Sequence, residues 1–191
     1  MRLKEIADKR AHLLILKVKD RSVDETRKLL SALSEDHDVL FHACTDKEAS
    51  TVGLHRFAAA GAAVRYQTIK SKGVGEVLAL DIALPRNTTD WQEKLPESLD
   101  QKIENKLYYG HFMCQVFHQD YILKAGTDTG AIKSEMLNLL KQRGAKYPAE
   151  HNVGHAYQAE PQLAEHYRAL DPRNQLNPGI GKDSKRRFYA E

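Results

Sequence analysis

Cysteine is scarce in this 191-residue sequence, which contains only Cys44 and Cys114. Two thiols do not build the disulfide framework that is typical of small secreted proteins, so the reducing cytoplasm is the expected compartment. Long apolar runs are also missing, and none approaches the roughly 20 residues that a membrane-spanning helix requires. The first residues, Met-Arg-Leu-Lys-Glu, contain no apolar stretch of the signal-peptide type. If the protein contacts a membrane, we expect it to lie on the surface.

A strong excess of one charge is missing as well. The formal net charge is +3 at pH 7, with 29 Lys and Arg residues against 26 Asp and Glu residues. No stretch interleaves aromatic with basic residues as grooves for single-stranded nucleic acid do, so no nucleic-acid partner is predicted. A hydrophobic content of 41% is instead typical of a globular protein that buries a core.

Periodicity and turn residues predict the order of the elements. Apolar runs bounded by charges or proline predict strands at residues 12–18, 39–41, 77–84 and 107–121. Apolar residues at helical spacing predict helices at residues 23–34, 45–63, 99–106 and 128–143. Ser22 and Glu25 have the spacing of a capping box, and Asp81 is the single acid inside an apolar strand. The order predicts an α+β fold, with a largely antiparallel, ferredoxin-like sheet covered by helices on one face and an irregular C-terminal segment that wraps over something else.

The densest cluster of titratable groups is Glu150-His151-Asn152-Val153-Gly154-His155. A histidine near neutrality can take a hydroxyl proton, and a neighbouring carboxylate can hold a cation or orient the ring. By residue types alone, a solvated loop accounts for this cluster more readily than a site does.

A second cluster contains two histidines, His111 and His118, separated by six residues. Both can bind one divalent metal if the chain bends between them, with Glu150 as a third ligand. In a straight strand they cannot, because positions seven apart point to opposite faces. One ring would then be packed and the other exposed, and the spacing alone leaves both alternatives open.

Six segments carry a resemblance to a known family. They are residues 54–62 (LHRFAAAGA), 78–84 (LALDIAL), 108–114 (YYGHFMC), 117–121 (FHQDY), 147–155 (YPAEHNVGH) and 177–182 (NPGIGK). Together they resemble the C-terminal part of the membrane-associated, quinone-linked D-lactate dehydrogenases, a branch of the flavoproteins related to vanillyl-alcohol oxidase. The resemblance spans nearly the whole chain.

The resemblance implies a division of the chain into two parts. Residues 1–146 would form a cap and membrane-binding domain, and residues 147–191 would return to a flavin-binding domain. That domain, which holds most of the FAD, would lie N-terminal to this sequence or in a separate subunit. We therefore expect the isolated chain to be inactive without it.

The resemblance also implies roles for individual residues. Related 2-hydroxyacid dehydrogenases hold a divalent metal with a His-x6-His segment and a later Glu, which corresponds here to His111, His118 and Glu150. His151 would be the base that takes the hydroxyl proton of D-lactate. The relatives have Gly-Asp-Gly-Asn between the two histidines, where this chain has Met-Cys-Gln-Val.

The remaining expected contacts are with the cofactor and the substrate. Asn152, Gly154, His155 and Asn177 would lie beside the FAD, Asn177 in a turn-rich stretch that is otherwise a structural loop. Arg86, just after the strand that ends at Pro85, is a candidate fork-shaped donor to the lactate carboxylate, although a solvated loop arginine explains it at least as well.

The expected location is the cytoplasmic side of the inner membrane, where the enzyme would pass electrons to quinone in respiratory electron transport. Residues 182–189 carry four basic side chains against one acidic one, and anionic headgroups would attract them. One alternative is a non-catalytic module that docks on a membrane or a flavin subunit. Another is a freestanding metal-binding protein.

Overall fold

The computed structural model describes residues 5, 6, 8–147 and 158–190. The chain divides into two compact units, Met1–Ala60 and Gly61–Glu191. The described helices and strands are α1 Val23–Asp36, α2 Asp46–Val52, α3 Leu54–Ile69, β1 Val74–Ala83, α4 Glu97–Asp100, β2 Ile103–His111, β3 Val116–Lys124, α5 Thr129–Gln142 and α6 Pro161–Leu170. The α+β class predicted from the sequence is therefore confirmed.

The regular elements described in the first unit are helices joined by irregular segments. Helix α2 begins with a capping box, in which the Thr45 side chain accepts a hydrogen bond from the Glu48 amide and the Glu48 carboxylate accepts one from the Thr45 amide. The capping box predicted at Ser22 and Glu25 is wrong. Ser22 belongs to a 3-10 turn before α1 and makes no side-chain capping bond, since its φ of −110° and ψ of 1° differ from the extended backbone of a typical cap.

Three other predictions for the first unit need correction. Residues 12–18 and 39–41 are not strands, although their composition favours strands. Leu13, Leu14 and Ile15 are more than half exposed, and an apolar run becomes a strand only where a second strand pairs with it. The helix predicted over residues 45–63 is two helices, α2 and α3, separated at Gly53.

The second unit is built on a three-stranded sheet in the order β1-β3-β2, with both pairs antiparallel. Alternate residues of β1 and β3 point to a core that α5 covers, as period-two side chains require. This core contains Leu80, Ile82, Phe117, Tyr121, Ile132, Met136 and Leu140. The antiparallel sheet is confirmed, whereas the ferredoxin-like arrangement stays a prediction.

A hairpin replaces the single long strand predicted over residues 107–121. Strands β2 and β3 pair with each other, and a 3-10 turn at Phe112–Cys114 joins them. Gln115 closes the turn in the left-handed conformation, with φ 58° and ψ 30°. Gly110 lies so close to β3 that an added Cβ would stand 3.0 Å from the Phe117 Cα atom. The apolar run is continuous because both arms of the hairpin contribute to the same core.

Of the two helices predicted in the second unit, one is confirmed and one is wrong. Helix α5 begins at Thr129 as predicted, and the Asp128 side chain accepts a hydrogen bond from the Ala131 amide. The chain leaves the end of this helix through Gly144 at φ 69°. The helix predicted near residues 99–106 is wrong, since α4 ends at Asp100 and β2 begins at Ile103.

Beyond α5 the chain returns to the free edge of β1. Lys146 and Ala83 exchange two backbone hydrogen bonds of 2.8 Å each. On the far side of residues 148–157, the Glu160 carboxylate lies 3.1 Å from the Lys146 ammonium. The chain on both sides of that segment is therefore held at one end of the sheet.

The C-terminal part of the second unit is held by polar contacts. Asn174 is buried and donates hydrogen bonds to the carbonyl groups of Ser184 and Arg186. The Arg168 guanidinium donates two hydrogen bonds of 2.8 Å to Asp183, and its carbon atom lies 5.3 Å from the centre of the Tyr189 ring. The turn-rich sequence therefore has a defined structure.

Candidate active site

Polar side chains form a row across the sheet on the face opposite the core. Asp81 of β1 stands directly opposite His118 of β3, which stands directly opposite Tyr109 of β2. The Asp81 Oδ1 atom lies 2.5 Å from the His118 Nδ1 atom. The Tyr109 ring stacks on the His118 ring, with centroids 5.0 Å apart and planes 25° apart. One imidazole is thus held between a carboxylate and an aromatic ring.

His111 lies beside this row because of the hairpin. Its ring centroid is 5.8 Å from that of His118, and the two rings are nearly perpendicular at 77°. The straight-strand alternative is therefore excluded, and the bend that two metal-binding histidines require is present. Gln115 supplies the left-handed residue of this bend, a conformation that glycine, as in the relatives' segment, adopts without strain.

A second hydrogen-bonded pair adjoins the row. The Tyr109 hydroxyl donates to the Asp120 Oδ2 atom at 3.1 Å. Burial raises the pKa of Asp120 above its ordinary value, although the Tyr109 hydrogen bond and the nearby His118 act in the opposite direction. Burial, followed by the charge of Asp120, also raises the pKa of the Tyr109 phenol. The face therefore holds titratable groups in partly desolvated surroundings, as catalytic sites often do.

A metal ion held by both His111 and His118 stays a prediction, with which the distance between the two rings agrees. Two imidazoles bound through nitrogens at about 2.1 Å place their ring centroids roughly 5 to 6 Å apart, a range that includes the 5.8 Å between His111 and His118. Among the described residues, no group of three histidine, cysteine or acidic side chains is arranged to hold a metal. The predicted third ligand, Glu150, lies outside the described residues.

The other predicted residues of the Glu150–His155 cluster, His151, Asn152, Gly154 and His155, also lie outside the described residues. The position of Lys146, which precedes this segment, shows where the chain leaves the sheet. Lys146 pairs with Ala83, Ala83 with Val116, and Val116 with His111, so one row across the sheet contains the departure point of this segment and a predicted metal ligand.

The two remaining predicted residues are exposed. Arg86 lies in the turn that follows β1, three residues after Ala83 and thus at the same end of the sheet as His111. Asn177 lies in the C-terminal turn, where its carbonyl group accepts a hydrogen bond of 3.2 Å from the Ile180 amide. The described contacts assign a ligand to neither residue.

Three residues of the site, Asp81, Tyr109 and Asp120, are not predicted from the sequence as partners of the histidines. Period-two alternation would have placed His118 with Asp120, and Tyr109 with His111, once residues 107–121 were folded as a hairpin. Nothing in the sequence sets the register that brings Asp81 opposite His118.

The side chains on the polar face of the sheet are of the kinds found in the active sites of enzymes. Paired imidazoles, an orienting carboxylate and a phenol on one half-buried sheet face are groups that transfer protons or bind a metal during catalysis. Residues 1–189 match the family described as "D-lactate dehydrogenase, membrane binding", and the chain belongs to that family.

Three relatives share similarity over almost all of this chain. The quinone-dependent D-lactate dehydrogenase of Escherichia coli K12 is 54% identical over 190 residues. The proteins of the same name from Haemophilus influenzae and Corynebacterium glutamicum are 50% and 39% identical over 185 and 191 residues. The match covers 96 to 100% of this chain but only 33 to 34% of the relatives. The chain thus spans about a third of their length.

Proposed function

We propose that this chain forms the cap and membrane-binding part of a flavin-dependent dehydrogenase that oxidises D-lactate to pyruvate and passes the electrons to quinone. The observation that carries the proposal is the approach of His111 and His118 on the polar face of the sheet. The similarity of the whole chain to quinone-dependent D-lactate dehydrogenases supports it. No observation favours a non-catalytic docking module over this function.

We infer the division of labour from the family. Residues 1–146 would cover the flavin and contact the membrane, and residues 147–191 would return to a flavin-binding domain or subunit. Asn152, Gly154, His155 and Asn177 would face the FAD. Bound FAD would supply the hydride acceptor, while the chain's own residues bind and orient the substrate.

A divalent metal would be held by His111, His118 and Glu150. Such an ion stabilises negative charge on a hydroxyl or carboxylate oxygen. The position of Lys146 supports the third ligand. The four residues from Lys146 to Glu150 span at most about 14 Å. Two strand spacings of roughly 5 Å separate the Lys146 backbone from β3, the strand that carries His118. The chain is therefore long enough for Glu150 to reach His118.

His151 would act as the base. It would accept the proton of the lactate C2 hydroxyl while the hydride leaves C2, so that the C–O bond becomes the carbonyl bond of pyruvate. The fork-shaped guanidinium of Arg86 would bind the lactate carboxylate through two hydrogen bonds. Holding both ends of the substrate fixes the C2–H bond relative to the hydride acceptor.

The membrane contact is proposed for α3 and the loop that follows it. Residues 49–75 contain four Arg and Lys residues and no Asp or Glu. Leu54, Phe57 and Val64 recur at helical spacing on α3 and are 58 to 71% exposed. Within the described residues, no helix combines the length and apolarity needed to cross a bilayer. An exposed apolar stripe with basic flanks suits a helix lying in the headgroup region of the cytoplasmic leaflet of the inner membrane.

Vesicle binding tests this contact. A Phe57→Asp variant should lose most of its cosedimentation with vesicles that contain phosphatidylglycerol, because a charge replaces the largest apolar side chain of the stripe. Leu176→Asp is the matched control, since Leu176 is 83% exposed in the C-terminal turn. Equal binding by both variants would argue against α3 as the contact.

The catalytic proposal is tested in a chimera. The chain would replace the matching third of the Escherichia coli relative, and D-lactate-dependent reduction of a soluble quinone would be followed. We expect activity in the chimera and at least a 100-fold loss with His151→Ala, as removal of a general base typically gives. A folded, flavin-loaded chimera without activity would count against the function, and an active His151→Ala chimera against the assigned base.

A further inference from the structure

We propose that Asp81 is a positioning residue for His118: it fixes the ring as the tautomer that carries its proton on Nδ1 and its lone pair on Nε2. The proposal concerns the same site as the proposed function and rests on it only where a metal is invoked. The geometry on which it stands is the 2.5 Å contact between Asp81 Oδ1 and His118 Nδ1.

The chemistry of the two groups sets the direction of the hydrogen bond. An ionised carboxylate has no proton to give, so the imidazole Nδ1 must be the donor. A neutral imidazole has one N–H group and one lone pair, so the lone pair then lies on Nε2. The sequence does not show this, because 36 residues lie between Asp81 and His118.

The surroundings hold the ring in this orientation. The side chains of Asp81 and His118 are only 20% and 15% exposed, so water competes weakly for the contact. The stacked Tyr109 ring limits rotation of the imidazole about its side-chain bonds, and the perpendicular His111 ring lies beside it. Tyr109 is itself tied to Asp120 by a hydrogen bond of 3.1 Å.

A fixed tautomer matters for a metal ligand. Ligating histidines commonly donate their other ring N–H to a carboxylate, which orients the ring and makes the ligating nitrogen more basic. Loss of such a partner typically weakens metal binding by 10- to 100-fold. An amide at position 81 is the informative substitution, because its NH2 group can donate to Nδ1 and thereby favour the opposite tautomer, as in serine proteases with an altered triad.

The first arm of the test needs no metal. Imidazole 15N–1H correlation spectra of the full chain would be recorded at about pH 9, above the ordinary histidine range, with a His118→Gln spectrum for assignment. We expect a protonated Nδ1 and an unprotonated Nε2 at His118, which Glu76→Gln, an exposed acid on β1, leaves unchanged. Asp81→Asn should move the proton to Nε2, and Asp81→Glu should restore the parent pattern. A parent His118 protonated on Nε2, alone or together with Nδ1, would overturn the proposal.

The second arm measures Zn²⁺ and Mn²⁺ affinity by calorimetry, with the fold of each variant checked by circular dichroism. Asp81→Asn should bind 10- to 100-fold more weakly than the parent and the Glu76→Gln control. Equal metal affinities of the parent and Asp81→Asn would overturn the role of Asp81 in positioning His118 as a metal ligand. If the parent binds neither ion while the first arm gives the expected tautomer, the metal of the proposed function is refuted and the positioning of His118 by Asp81 is supported.

Discussion

A nearly buried ion pair ties the loop between β1 and α4 to the sheet. The Glu93 side chain is 4% exposed and accepts hydrogen bonds from the Arg143 guanidinium and, at 3.0 Å, from the Gln119 amide. Arg143 also donates to the Asp90 carbonyl. Since Trp91 lies between these two contacts in the loop, the pair sets the loop's position on the core face of the sheet.

The magnitude follows from the burial of each partner. Breaking a buried pair by removing one partner costs about 3–5 kcal/mol. Arg143 is 27% exposed, so water reaches the remaining charge in part, and we expect Arg143→Met to lower the free energy of unfolding by about 2–3 kcal/mol. Glu93→Gln keeps the volume and an acceptor oxygen and should cost about 1 kcal/mol. The double variant buries no unpaired charge, so its cost should fall at least about 1 kcal/mol below the sum of the two single costs.

Urea unfolding measures these values, because Trp91 is the only tryptophan and its fluorescence reports on this loop. Lys141→Met is the matched control, because Lys141 is exposed in the last turn of α5, two residues before Arg143. It should stay within about 0.5 kcal/mol of the parent. Additive single costs, or an Arg143→Met variant as stable as the control, would refute the ion pair as the anchor. In the chimera, Arg143→Met should also raise the KM for D-lactate, since the same loop carries Arg86.

Two further substitutions test the hairpin and the C-terminal contacts. Gly110→Ala should cost about 1–3 kcal/mol in a thermal or urea melt, because the new methyl group would meet the β3 backbone near Phe117. An unchanged unfolding midpoint would contradict the close approach of β2 and β3 at this position. Arg168→Met should lower the unfolding midpoint at pH 7, because it removes the two hydrogen bonds to Asp183. The Arg168 hydrogen bonds lower the pKa of Asp183, so this contribution is present above the ordinary aspartate pKa and lost as the pH falls below about 4. A cost that stays constant down to pH 2 would contradict the ion pair.

How far the fold can be predicted depends on where the determining contacts lie. Strand β1 and helix α5 are predicted because their determinants are local: Leu80 and Ile82 alternate before Pro85, and Asp128 caps the helix. The hairpin is not predicted, because its turn has no Asn-Gly or Asp-Gly pair and uses Gln115 in the left-handed conformation. In the first unit, apolar composition favours strands that have no pairing strand among the described residues.

Some residues of the candidate site can be predicted from the sequence, and others depend on contacts between strands. The resemblance to a family supplies His111 and His118 as a pair, because motif spacing is a property of the sequence. Asp81 as the partner of His118 depends on the register between β1 and β3, which no local pattern sets. Residues that act on a predicted ligand through a cross-strand contact are therefore those that the structure adds.

The same strands build both the core and the site, because alternate residues of each strand point to opposite faces of the sheet. In β3, Phe117 and Tyr121 point to the core, while His118 and Asp120 point to the polar face. A slip of one residue would place histidine and aspartate in the core and aromatic rings in the site, so the free energy of core packing also enforces the register of the site. The close approach at Gly110 and the turn at Gln115 fix that register at the end where His111 lies. Substitutions there should change stability together with the metal affinity proposed for His111 and His118, whereas Asp81→Asn, which leaves the core face intact, should change the proposed metal affinity with little change in stability.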